Sequence, residues 1–113
     1  MKIYKNTDLC LNIKLKAKDG TLITVEDCKA IEYTFYTSPS GYKFKAGYKN
    51  GIYTNIKDGK IYIQNNDIQR FNEGQLKYDV VISFLNPDFD YDNTQDIYES
   101  KETDIFLKNS PVA

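Results

Sequence analysis

The stretch PDFDYDNTQDIYE, residues 87–99, carries Asp88, Asp90, Asp92, Asp96 and Glu99. These fall at the first, third, fifth, ninth and twelfth positions of a calcium-binding loop. Calcium takes about six to eight oxygens, so alternate carboxylates pointing inward with a late bidentate Glu would suit it. Two positions depart from that pattern. Asn93 stands where the sharp turn normally takes Gly, and Gln95 where the loop is usually apolar. The segment entering the loop, Val80 to Leu85, reads as strand rather than helix. The favoured reading is therefore a solvated acidic hairpin loop, Asp- and Asn-rich for turn reasons, with Phe89 and Tyr91 folded back on the domain edge.

Other site chemistry is sparse. The chain has no His, and His is the side chain that most readily exchanges protons near neutral pH. Its absence removes the usual nucleophilic triads and most zinc sites. Paired carboxylates for glycoside hydrolysis would have to face each other across a cleft, whereas these cluster in one loop. Cys10 and Cys28 lack a histidine base and read as reduced thiols serving as small hydrophobes. The expectation is a protein that is not an enzyme and has no catalytic residue or required cofactor.

Ten tyrosines are the other unusual feature. Tyr33, Tyr42, Tyr48 and Tyr78 share the parity of core positions, and tyrosine is a favoured strand residue in any case. Tyr36, Tyr53, Tyr62, Tyr91 and Tyr98 fall off that parity, and exposed aromatics with polar tips suit contact with a protein or a sugar.

The elements that must position these residues show a period of two. Leu9, Leu11, Ile13 and Leu15 alternate with polar neighbours, followed by Asp19-Gly20 as a turn and Thr21 to Val25 as a short β-branched run. Ile31, Tyr33 and Phe35 mark a second strand, and Ser38 to Gly41 a loop. Tyr42 to Tyr48 alternates again. Turns at Asn50-Gly51 and Asp58-Gly59 separate the runs Ile52 to Ile56 and Ile61 to Ile63. Asn66 or Asp67 is placed to cap one helical turn carrying Ile68 and Phe71. Leu76 to Phe84 is the clearest strand, Ile97-Tyr98 and Ile105 to Leu107 supply one or two more, and 109–113 reads as a free tail. The count is seven or eight short strands, which predicts an all-β fold, a single Ig-like antiparallel β-sandwich occupying residues 1–113 as one domain.

Composition narrows the class. An apolar share of 41% with 27% charged residues is that of a globular chain. The longest uncharged apolar run, Val80 to Leu85, is far short of the roughly 20 residues of a membrane-spanning helix. The N-terminus alternates and carries no signal-peptide pattern. A net charge of -1, with Arg70 the only arginine, gives no footprint for nucleic acid. Neither nucleic acid nor membrane is expected as a partner.

The segments NTDLCLNIKLKAKDGTLI, AIEYTFYT, GIYTNIKDGKIYI and FNEGQLKYDVVISF, with a closing strand after the acidic loop, resemble the N-terminal Ig-like domain of tailed-phage baseplate upper proteins and related virion adaptor and head-fibre proteins. The composition, rich in Lys, Asn, Ile and Tyr, is similar to that of the AT-rich crAss-like phages. The resemblance implies a structural or adaptor component of a virion: a head-fibre, capsid-decorating or tail and baseplate module, made in the host cytoplasm. Its partners would be other virion subunits or itself, with a homo-oligomer or larger assembly as the product. The alternative is a carbohydrate-binding β-sandwich module with calcium in the 88–99 loop.

Overall fold

Two dipeptides set the hairpins. Asn50 and Gly51 have φ of 52° and 81°, and Asp58 and Gly59 have 53° and 73°. Consecutive positive φ values define the turns whose twist matches paired strands, and Asn, Asp and Gly adopt them at least cost. In the computed structural model, which describes residues 1–16, 20–38, 41–89 and 94–109, these turns separate strands of an all-β sandwich.

The strands in chain order are β1 (Lys2–Tyr4), β2 (Leu9–Asn12), β3 (Leu15–Lys16), β4 (Leu22–Ile23), β5 (Ala30–Thr37), β6 (Phe44–Lys49), β7 (Ile52–Thr54), β8 (Ile56–Lys57), β9 (Lys60–Ile63), β10 (Gly74–Leu85) and β11 (Thr94–Lys108). A six-stranded sheet runs β1-β11-β10-β5-β6-β7, a three-stranded sheet runs β2-β9-β8, and β3-β4 form a small hairpin. One hydrophobic cluster joins the sheets. Ile31, Tyr33 and Phe35 of β5 with Leu76, Val80 and Ile82 of β10 face Ile56 of β8 and Ile61 and Ile63 of β9. The alternation of buried and exposed positions along β5 is the sequence period read directly as packing.

Four features differ from the sequence reading. First, the described residues form eleven strands rather than seven or eight, because two continuous runs are divided and β1 forms where the sequence reading placed no strand. The run Leu9 to Leu15 breaks at Ile13, whose amide donates to the Gly59 carbonyl at 3.0 Å. The run Ile52 to Ile56 breaks at Asn55, at φ 57°, where the chain leaves the large sheet for the small one. Second, β10 and β11 are not short: they span 12 and 15 residues. Third, β1 pairs with β11 in parallel, so the sandwich is not wholly antiparallel.

Fourth, the helical turn α1 (Asn65–Ile68) begins after Gln64, and neither Asn66 nor Asp67 caps it. The Asn65 amide donates instead to Asp8 Oδ1 at 2.7 Å, a cap supplied from 57 residues away. The turn carries Ile68 but ends before Phe71, and both side chains are buried. Asn109 is not free: its amide donates to Glu73 Oε2 at 2.8 Å. Asp19 of the first turn, and residues 110–113, lie outside the described residues. Cys10 and Cys28 are both free thiols, Cys10 exposed and Cys28 buried.

Candidate functional site

The small sheet covers one face of the large sheet, and among the described residues no strand or helix covers the other. On that outer face the strand registers arrange side chains in rows crossing from β11 to β7. One row is Tyr98, Val81, Glu32, Gly47 and Thr54. The next, toward the β10-β11 loop, is Asp96, Ser83, Ala30, Lys49 and Ile52. On the opposite side lie Ser100, Asp79, Thr34 and Lys45.

The first two rows enclose a depression of about 630 Å³, lined at its middle by Ala30, Gly47 and Val81 and at its two sides by Tyr98 and Ile52. Gly47 leaves its middle bare for a specific reason. A Cβ there would come 2.5 Å from the Ile31 carbonyl oxygen, so the β5 and β6 backbones approach too closely for any side chain. Tyr98 is 74% exposed, Ile52 70% and Leu85 73%, and strand parity puts all three on this face.

The polar groups between them are locally ordered. Ser83 Oγ donates to Asp96 Oδ1 at 2.7 Å, and Ser100 Oγ and the Tyr36 hydroxyl donate to Asp79 Oδ1 at 2.8 and 3.1 Å. Burial raises the Tyr36 phenol above its ordinary range, and the bond to Asp79 raises it further. Surface ion pairs join Lys45 to Glu32 at 3.5 Å and half-buried Lys77 to Glu102 at 3.7 Å, each worth about 1 kcal/mol or less. Charge is unevenly divided: Lys45 and Lys49 lie on β6, while Asp96 and Glu102 lie on β11.

The predicted contact tyrosines separate. Tyr98 and Tyr36 share the outer face but stand about 13 Å apart along it, four residues of strand. Tyr53 sits at the β7 edge, its ring 4.8 Å from that of Tyr48 and its hydroxyl donating to Glu26 Oε1 at 2.9 Å. That bond is the main reason its phenol is raised. Tyr62 pairs opposite Cys10 on the small sheet. Tyr91 lies outside the described residues.

Of the predicted calcium ligands, Asp96 and Glu99 do not converge as a loop would require. Asp96 and Glu99 belong to strand β11, not to a loop. Separated by an odd number of residues, they point to opposite faces: Asp96 accepts from Ser83 on the outer face, and Glu99 pairs with Lys101 at 3.3 Å. One coordination shell holding both would break the β10-β11 pairing. Asp88 lies in the turn after β10, its amide donating to Asn86 Oδ1 at 3.1 Å, and Asp90 and Asp92 are outside the described residues. Among the described residues no three His, Cys, Asp or Glu side chains are grouped to hold a metal.

A second opening lies between the sheets at the β2 side, about 360 Å³, bordered by Tyr33, Phe35, Tyr78 and Lys14. The Tyr33 and Tyr78 rings lie 6.1 and 5.3 Å from Phe35 and 5.7 Å from each other, so much of their ring surface is spent on mutual packing.

Gly47, Val81 and Ile52 were not singled out by sequence. A glycine inside the alternating run Tyr42 to Lys49 was the available signal, since strand glycines mark close backbone approach. Val81 and Ile52 gain meaning only from register. The fold and this face define a β-sandwich module with an open, concave sheet surface. No family model matches the chain, and no curated protein or solved structure matches it either.

Proposed function

We propose that the protein is a non-enzymatic structural or adaptor component of a phage particle, acting through protein contacts made by the outer face of the six-stranded sheet. The observation that carries this reading is the presence of Tyr98 and Ile52, both strongly exposed, at the two sides of a depression floored by Gly47, with exposed Leu85 on the same face. Exposed apolar side chains gathered on one sheet face among polar neighbours are characteristic of association sites. The particle setting is supported by the resemblance of the strand and turn pattern to virion adaptor domains. The partners are other particle subunits or further copies of this chain. A carbohydrate-binding platform would group aromatic faces on one surface, whereas Tyr98, Tyr53 and Tyr62 occupy three.

Light scattering across a concentration series, with calcium and with a chelator, tests the reading. The expected result is a mass that grows with concentration to a defined oligomer and is indifferent to calcium. A monomer at every concentration, with a melting temperature raised by calcium, would reject it in favour of a metal-dependent binding module.

A further inference from the structure

The rows of the outer face read as their own complements. Across the four strands β11, β10, β5 and β6, one row is Tyr98, Val81, Glu32 and Gly47, and the next is Asp96, Ser83, Ala30 and Lys49. Reversed, the first sets its most exposed aromatic against its glycine. The second sets its acid against its lysine. We propose, building on the contact-module reading above, that the occupant of this face is a second copy of the chain, related by a two-fold axis that runs parallel to the strands between β5 and β10.

Such an axis keeps position along the strands and exchanges β11 with β6. Tyr98 of each copy then enters the space over Gly47 of the other, and Asp96 of each meets Lys49 of the other. Sheets stacked face to face lie about 10 Å apart, room for one large side chain at a given point rather than two. A tyrosine opposite a glycine satisfies that spacing. Lys45 comes opposite Ser100, and Glu32 comes opposite Val81 while keeping its own Lys45 at 3.5 Å.

Charge selects this axis over the other face-to-face one. A two-fold axis perpendicular to the strands and level with Gly47 and Tyr98 would lay β6 on β6 and β11 on β11, bringing Lys45 of each copy against Lys49 of the other and Tyr98 against Tyr98. Like charges across an interface cost affinity and suppress that arrangement. The four strands are about 19 Å wide and the outward rows run about 27 Å, so the pair covers on the order of 1,000 Å² in total. That lies at the low end of specific interfaces and predicts a dimer in concentration-dependent exchange with monomer.

Lys49 and Asp96 are exposed, so K49E and D96K are tested first by circular dichroism for an unchanged fold, then by light scattering alone and mixed. Each variant alone places like charges at both symmetric contacts, and its dimer dissociation constant should rise about tenfold or more. The equimolar mixture restores opposite charges at both contacts and should dimerise as wild type does. Y98A should be monomeric with an unchanged melting temperature. If wild type assembles while K49E, D96K and Y98A assemble equally well, this interface is wrong and the contact-module reading stands on another surface. If wild type never assembles, the dimer and the self-association reading fall together. Weakened single variants whose mixture is no tighter than either would also overturn the proposal.

Discussion

Tyr98 and Gly47 stand in the same cross-strand row, three strand spacings apart, one the most exposed aromatic of the described residues and the other bare backbone. Their pairing of protrusion and gap exists only because β5 and β6 approach so closely that position 47 has no room for a side chain.

Gly47→Ala tests that close approach. The added carbon meets backbone rather than a flexible side chain, so β5 and β6 must separate. We expect a loss of about 1–3 kcal/mol in urea denaturation, the usual range for overpacking. A variant as stable as wild type would show that the strands move apart freely.

Asp8 supplies the cap of α1. Asp8→Ala leaves the Asn65 amide without that acceptor and should cost about 0.5–2 kcal/mol, while Asp8→Asn should retain most of the stability. Equal losses in both variants, read from urea midpoints, would point to charge rather than capping.

Thr37 Oγ1 is the buried side-chain polar atom without a partner among the described residues. Removing a hydroxyl that is desolvated and unpaired recovers its desolvation cost, so Thr37→Val should be stabilising by about 1 kcal/mol. A destabilised Thr37→Val would mean that the hydroxyl has a partner, such as an internal water.

Tyr33 sets an alkaline limit. Burial raises its phenol well above the ordinary value, and the neighbouring Tyr78, Cys28 and Glu99 raise it further. The folded state therefore holds this proton after the unfolded chain releases it near pH 10. Stability from the neutral phenol is complete below that point and declines as pH rises above it. Urea midpoints from pH 8 to 11 should fall above about pH 10, less steeply in Tyr33→Phe. Identical pH slopes in both proteins would remove Tyr33 as the cause.

Local features were legible in the sequence where one face is buried and one wet. The alternation of Ala30 to Thr37 and the Asn50-Gly51 and Asp58-Gly59 turns are of this kind. β11 reads as fragments in the sequence because its middle is polar on both faces: Glu99 and Lys101 point toward the small sheet's side yet remain exposed, beyond what that sheet covers. Alternation has no contrast where neither face is buried. The division of Ile52 to Ile56 at Asn55 was hidden because a change of sheet does not interrupt an apolar run. The Asp8 cap and the Tyr98 row depend on residues far apart in sequence, and only register brings them together. The acidic spacing of residues 88–99 matched a loop by count, but at Thr94 the chain is already strand, and alternation then divides Asp96 from Glu99.

The parallel pairing of β1 with β11 has a mechanical consequence. Met1 is tied to the Asp104 carbonyl and to the Phe106 amide, and the Lys5 amide to the Lys108 carbonyl. Because the two strands run in the same direction, a pull on Met1 against Asn109 loads this ladder in shear, so that its hydrogen bonds carry the force together instead of opening one at a time. The first and last strands thus form a clamp that resists tension along the chain.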